Sequence, residues 1–302
     1  MSGKENKELK ITVFTPTYNR VHIIINLYHS LQKQTFCDFE WLVIDDGSTD
    51  GTADLFNNIK AEKNDFLIRY YRFENSGKQK EINRALDLAE GKLFFTVDSD
   101  DLLTPDALEK IDQWDKQIPT DGKYCGFAGS DGNLQGEPTN PIFSDEYIDA
   151  TFFDRDPESN KFIGYDRPWV LYTSVHRCYK YPEFDGEKFI AEAVVWNRMA
   201  TDGYKIRCYN DVIYLREHQE IGLTNKIHEI LVENPKGYGL WIKETVEQLD
   251  YNWSRRLKAY YSFYCEMYGR LTIKQIMEYV GVGKVEMVAI CILHGIKHRW
   301  KR

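Results

Sequence analysis

The sequence predicts an α/β fold: a mostly parallel central sheet flanked by helices over residues 1–222, then a helical region over residues 223–302. Three observations predict it. Short apolar runs alternate with amphipathic segments through the first hundred residues, the pattern of parallel βαβ units. Each apolar run ends in a polar stretch, as strands facing a ligand crevice do. Beyond Gly222 the text changes to helix-length segments dense in aromatics.

The strands are predicted at Ile11–Thr15, Phe39–Ile44, Phe66–Phe73 and Leu93–Val97. Between them, Val21–Gln34 sets Ile24, Leu27, Tyr28 and Leu31 on one helical stripe, and Ala53–Ile59 and Ile82–Ala89 repeat that spacing. Thr104-Pro105, with Asp106 and Glu109 in the first turn, marks another helix start. Asp121–Asp166 is rich in Gly, Asp, Asn and Pro without periodicity, which predicts a long loop with short strands over the sheet edge. A strand at Trp169–Val175, a helix about Ile190–Ala200 and a strand at Ile206–Leu215 complete the domain. Helices are expected at Gly239–Leu249, Trp253–Tyr268, Ile273–Val280 and Val285–Lys297.

Composition narrows the function. With 39 Lys+Arg against 47 Asp+Glu the formal charge is −8, which disfavours a nucleic-acid binder needing a broad cationic surface. Anionic ligands must be held locally. Six scattered cysteines without a CxxC pair argue against a zinc site or disulfide framework and fit a reducing cytosol. The opening MSGKENKELK lacks the apolar core of a signal peptide, and the longest apolar run, Met287–Leu293, is far short of the ~20 residues that cross a bilayer. A cytoplasmic protein is expected.

Ligands of open parallel sheets bind beyond the carboxyl ends of the strands, which selects Pro16–Arg20, Asp45–Gly51, Glu74–Lys80 and Asp98–Asp101. In Asp98-Ser99-Asp100-Asp101, an extended strand end would turn Asp98 and Asp100 to one side. Converging carboxylates repel unless a cation joins them, and Mg²⁺ or Mn²⁺ held with a substrate diphosphate suits such a pair; a solvated helix cap is the ordinary alternative. Asp46 offers an acceptor for the imide N–H of a uracil-like base, making UDP the expected nucleotide, although a turn and helix cap explain part of that loop. Thr15, Pro16 and Tyr18 would wall the base and ribose, with Tyr18 stacking, the alternative being a proline-bent helix entry. Lys78 offers a cation to the diphosphate, and Gly77 permits close backbone approach, the alternative being an ordinary capped helix start.

The ordered set TPTYNR, DDGSTDGT, NSGKQKEINRAL, GKLFFTVDSDD and then PD resembles the family-2 glycosyltransferases of GT-A fold, over about residues 9–220. The resemblance implies a Rossmann-like sheet and inverting transfer from a nucleotide sugar to an acceptor hydroxyl, as in bacterial polysaccharide synthesis. It places the donor base near Thr15, Tyr18 and Asp46, bridges the metal chiefly by Asp100, and turns Asp98 toward sugar and ribose. Arg216-Glu217-His218 is similar to a family pattern in which a basic residue and a histidine approach the donor phosphates; His218 is then a candidate ligand, against the alternative of a surface histidine. The family's base is an acid pair at a helix start, and here Ala193 stands where many relatives have the second acid. Glu192 is the favoured base, with Asp185 and Glu187 as fallbacks, against the alternative of an ordinary acid at a helix N-terminus.

A dehydrogenase would want a GxGxxG turn after the first strand, and Thr15-Pro16-Thr17-Tyr18 has no glycine. A sugar nucleotidyltransferase and a catalytically inactive sugar-nucleotide-binding protein remain the alternatives, the latter because of Ala193. The expected acceptor is a saccharide or lipid-linked saccharide. Trp169, Tyr165 and Trp196 are candidate sugar-stacking surfaces, though such aromatics are as often core. Val285, Val288, Ile292 and Ile296 recur at helical spacing before Lys297-His298-Arg299-Trp300-Lys301-Arg302, which suits peripheral contact with an anionic membrane or, alternatively, a packed helix with a solvated tail.

Overall fold

The computed structural model describes residues 9–120, 122–216 and 226–299, with side chains as far as Gly295. His218 lies outside the described residues. The chain divides into two compact units, residues 1–180 with 202–219 and residues 181–201 with 220–302. The segment 181–201, expected within the sheet domain, thus groups with the helices.

The first unit runs β1 (Leu9–Thr17), α1 (Ile24–Gln32), β2 (Phe39–Asp45), α2 (Thr52–Ala61), β3 (Leu67–Arg72), α3 (Lys78–Leu88), β4 (Gly91–Thr96), β5 (Leu102–Leu103), α4 (Ala107–Gln117), β6 (Tyr124–Gly132), β7 (Tyr147–Ala150), β8 (Trp169–Tyr172), α5 (Thr173–His176) and β9 (Lys205–Leu215). The strands form one mixed sheet in the order β3-β2-β1-β4-β8-β6-β9-β5, with β7 also on β9. The expected parallel core is β3-β2-β1-β4. β2 is buried throughout, the near-continuous apolar run of a strand covered on both faces. On one face Ile11, Val13, Trp41, Val43, Leu93 and Phe95 pack with Leu27 and Leu31 of α1, Phe56 of α2 and Ile111 and Trp114 of α4. Glu40, wholly buried in β2, is compensated by Thr12 at 2.6 Å, the Glu90 amide at 2.7 Å and Arg69 at 2.9 Å.

The segment after Asp121 corrects the sequence reading. A short strand of the expected kind is present, β7 on β9, but the segment opens with β6, a fully buried nine-residue strand between β8 and β9 and not part of a loop over the edge. Its text, YCGFAGSDG, lacks β-branched residues because neighbouring strands approach too closely: a Cβ at Gly126 would stand 2.1 Å from the Val170 carbonyl. The irregular stretch that follows is held by Arg167, only 1% exposed. Its guanidinium donates to the carbonyls of Ile163 at 2.6 Å, Gly129 at 2.9 Å, Tyr209 at 3.0 Å and Pro141 at 2.8 Å. The expected strand Trp169–Val175 ends at Tyr172 and turns into α5. α4 starts at Ala107 rather than after Thr104, whose hydroxyl is bonded to Asp106 at 2.8 Å.

The second unit holds α6 (Ala193–Thr201), α7 (Ile227–Glu233), α8 (Pro235–Gln248), α9 (Trp253–Met267), α10 (Ile273–Val280) and α11 (Lys284–Arg299). Tyr238, Ile242, Phe263, Met267, Ile276, Val280, Met287 and Ile290 form its core. α8 begins with a proline at N1, and Glu187 accepts from the amides of Lys236 at 2.8 Å and Gly237 at 2.9 Å, satisfying two orphan donors of that helix. Arg198 of α6 grips Glu244 of α8 in a two-pronged ion pair at 2.9 and 2.5 Å. These bonds bring the segment 181–201 to the helices.

Candidate functional site

The loops after β1, β2, β3 and β4 meet, and they are cross-linked through side chains. The Asn19 amide donates to Ser48 Oγ at 2.8 Å, the Thr49 amide to Asn19 Oδ1 at 2.8 Å and the Val21 amide to Asp50 at 2.9 Å. Asn19 takes positive φ (54°), a conformation asparagine tolerates better than most residues. The first two loops therefore form one rigid wall. Tyr18 stands on it, 49% exposed, with Pro16 half-buried beside it in sequence.

Thr15 departs from expectation. Its side chain is wholly buried, and its hydroxyl accepts the Trp41 indole N–H at 3.0 Å. It faces the core because β1 alternates, placing Ile11, Val13 and Thr15 on the side packed by helices.

Asp46 is 6% exposed. Its carboxylate accepts from the amides of Ser76 at 2.6 Å and Gly77 at 2.9 Å and from Asn75 Nδ2 at 3.0 Å. Gly77 makes this possible with φ of 95°, which other residues rarely adopt. Asp46 thus organises the loop that delivers Lys78, a role the sequence reading did not give it. Beneath it lies Glu81, 1% exposed, whose carboxyl is pushed up to about 10 by burial and by the neighbouring Asp46, with which it shares a hydrogen bond. Protonated Glu81 is the donor in that bond.

The acidic loop is a turn, closed by the Asp101 amide on the Asp98 carbonyl at 3.2 Å, so the extended alternation expected of Asp98 and Asp100 does not describe it. The two half-exposed carboxylates each face a cation. Lys78 Nζ lies 2.9 Å from Asp98, and Arg20 lies 3.9 Å from Asp100. Burial works against ionisation of Asp98, yet Lys78, followed by Arg216 and Arg20, holds its carboxyl below the ordinary value. Ser99 is buried. Asp101 is raised to about 7 by burial and by the charge of Asp98, while the Tyr214 hydroxyl, donating to it at 2.8 Å, pulls the other way. The same hydroxyl accepts the Asp98 amide at 3.0 Å and so fixes the turn to β9.

Arg216, just past β9, pairs with Asp131 at 3.2 Å and Asp166 at 2.9 Å. Asp131 closes β6, and burial lifts its carboxyl to about 7 against the pull of Arg216. Arg20, Tyr214, Asp131 and Glu81 escaped the sequence reading as individual site residues. Arg20 and Glu81 had a signal, their places inside TPTYNR and NSGKQKEINRAL.

Of the three candidate stacking aromatics, Trp169 and Trp196 are buried at 8% and 7%, whereas Tyr165 is 67% exposed. Glu192 is half-buried in the second unit, immediately before α6, and its carbonyl accepts the amides of Val195 and Trp196. Glu187 is spent on the α8 amides, which removes it as a fallback base, and Asp185 is exposed.

A divalent ion fits the acidic turn by donor chemistry: all-oxygen side chains on one turn, already flanked by cations that suit a bound diphosphate. Among the described residues no group of three or more His, Cys, Asp or Glu gathers as a complete metal cage, so Asp98 and Asp100 would need oxygens from the substrate and water.

The family model for glycosyl transferase family 2 matches residues 12–172. A teichuronic acid biosynthesis glycosyltransferase of Bacillus subtilis, TuaG, described as putative, is 33% identical over 141 residues, 46% of this chain and 52% of that protein. The chain spans about half the length, or less, of the curated relatives it matches first. Among solved structures, S. aureus TarS 1–349 in complex with UDP aligns with a TM-score of 0.59 at 18% identity, covering 92% of this chain and 76% of that one. The mannosyltransferase PcManGT of Pyrobaculum calidifontis, in complex with GDP-Man and Mn²⁺, aligns with a TM-score of 0.55 at 16% identity, covering 95% and 79%. These likenesses show the GT-A arrangement of the sheet.

Proposed function

The chain belongs to glycosyl transferase family 2, and from that premise we propose that it transfers a sugar from a nucleotide diphosphate donor, UDP-linked, to an acceptor hydroxyl with inversion, in cell-surface polysaccharide synthesis. The acceptor would be a saccharide or lipid-linked saccharide, met from the cytoplasm in peripheral contact with the membrane. What supports this most is the gathering of Lys78, Arg20 and Arg216 about the half-exposed turn Asp98–Asp101 at the carboxyl ends of the strands. That arrangement suits a diphosphate, whose two negative charges those cations offset.

In this reading Tyr18 and Pro16 flank the base and ribose, and Asp46 holds the loop bearing Lys78 while facing the base. Asp98 and Asp100 would hold Mn²⁺ or Mg²⁺, which when bound supplies charge to the leaving diphosphate. His218 is a proposed further ligand. Lys78 offsets charge as the glycosidic C–O bond to the diphosphate breaks, and the acceptor hydroxyl oxygen bonds the anomeric carbon from the opposite face. Glu192 takes the hydroxyl proton, the role an inverting displacement requires.

A second reading, sugar-nucleotide binding without turnover, is favoured by Ala193 at the first position of α6. Thermal stabilisation by a panel of nucleotide sugars with Mn²⁺, followed by release of free nucleotide, tests both. Stabilisation by a UDP-sugar with UDP release is expected. No stabilisation by any nucleotide sugar would refute donor binding, and stabilisation without release on adding acceptors would favour the binder.

A further inference from the structure

One face of α11 is bare. Met287 and Ile290 are buried in the helical core, whereas Val285, Val288, Ile292 and Leu293 are 85%, 59%, 58% and 39% exposed. At 100° per residue, Val285, Val288 and Ile292 fall within about 60° of one another, with Ala289 and Leu293 alongside. A helix lying on a water-facing surface ordinarily carries charged residues there. The sequence then continues Lys297-His298-Arg299-Trp300-Lys301-Arg302, with Lys or Arg at four of six positions. Residues 220–302 carry 13 Lys+Arg against 9 Asp+Glu, in a chain that overall carries 39 against 47. The excess of positive charge therefore lies in the last six residues, which adjoin the bare face in sequence.

We propose that this face of α11, with the basic residues that close the sequence from Lys297 to Arg302, docks on an anionic bilayer surface. Aliphatic side chains enter the boundary between headgroups and acyl chains, a depth of ~5–10 Å, and lysines and arginines meet lipid phosphates and carboxylates. Trp300 is a residue type that favours that boundary. No helix among the described residues is long and apolar enough to cross a membrane, which accords with a helix lying on the surface. A second copy of the chain fits less well. The four exposed side chains present roughly 400 Å², about half the ~800 Å² each partner buries in a standard interface, and the concentrated positive charge matches anionic lipid rather than its own copy.

The surface is independent of the transfer chemistry and is tested apart from it. The full chain is sedimented with vesicles of phosphatidylcholine alone and of phosphatidylcholine with phosphatidylserine. Phosphatidylserine should raise the bound fraction on the order of tenfold or more at low salt, and added salt should reverse the gain. Val288→Asp with Ile292→Asp should lower binding about tenfold at unchanged melting temperature, because both sites are exposed. Lys301→Glu with Arg302→Glu should remove the preference for phosphatidylserine. Equal binding to both vesicle types, or full binding by the doubly substituted Val288/Ile292 protein, would overturn the proposal. So would a lipid-free dimer of the parent that the same pair dissociates, since the face would then be a contact between copies.

Discussion

Replacing Glu81 by Gln should make the protein more stable, increasingly so as the pH rises. Glu81 is 1% exposed, one of its oxygens has no hydrogen-bond partner, and its carboxyl is pushed up to about 10 by burial and Asp46. Its unfolded value is near 4.5. Because the folded value is the higher one, this group's contribution to stability is fully present below about 4.5 and is lost as pH rises toward 10. Between those limits the folded chain holds one more proton than the unfolded chain, so stability falls by up to about 1.4 kcal/mol per pH unit. From pH 6 to pH 8 that amounts to up to about 3 kcal/mol. Gln cannot ionise, and its amide N–H can replace the donated bond to Asp46. The stability difference between Glu81→Gln and parent should thus grow by about 2–3 kcal/mol over that interval, or roughly 4–12 °C in Tm at 2–4 °C per kcal/mol. Asp101 and Asp131, both raised to about 7, titrate in the same window but cancel in the difference. Thermal unfolding of both proteins at pH 6, 7 and 8 provides the measurement. A pH-independent difference, or a variant less stable than parent at pH 8, would refute a protonated Glu81 under the Asp46 loop.

Further outcomes follow from the same geometry. Arg167→Met removes four bonds to buried carbonyls and should cost about 3–5 kcal/mol, seen as a large Tm loss and early proteolysis within residues 133–166; a change under about 1 kcal/mol would deny Arg167 its anchoring role. Asp46→Ala frees the Ser76 and Gly77 amides and displaces Lys78, so UDP affinity by calorimetry should fall at least tenfold, and parental affinity would refute the role of Asp46 at the nucleotide. Glu192→Gln should lower kcat by ~10²–10⁴-fold while the nucleotide Kd stays within about threefold, the pattern of a group acting in the transition state. Near-parental kcat would move the base to Asp185, since Glu187 is committed to α8.

The parallel half of the fold was legible because β1, β2 and β4 are covered on both faces, and such strands are written as apolar runs ending in polar loops. β6 was hidden by the same burial. Its neighbours come so close that Gly126 and Gly129 replace the branched residues by which strands are recognised. Periodicity reads side chains, and a strand built of small ones carries little of it. At the site, the loops were found but the partners within them were not. Thr15 looked like a ligand residue, but strand alternation sets it on the same face as Ile11 and Val13, where its hydroxyl meets Trp41. Asp46 was singled out without the amides of Ser76 and Gly77 that it holds, because backbone donors are displayed by no sequence pattern. Glu187 and Glu192 sit five residues apart in one acidic stretch, and only the hydrogen bonds to Lys236 and Gly237 separate a helix cap from a candidate base.

The central claim, that the acidic turn Asp98–Asp101 with Lys78 serves metal-dependent cleavage of a nucleotide sugar, is tested most directly by UDP release from a UDP-sugar. Parent and Asp100→Ala are compared with Mn²⁺, and the parent is repeated in EDTA with Mn²⁺ restored. Release by the parent, its loss in EDTA, its return with Mn²⁺ and at least a hundredfold lower rate in Asp100→Ala are the expected results. Full release in EDTA, or parental release by Asp100→Ala, would contradict it.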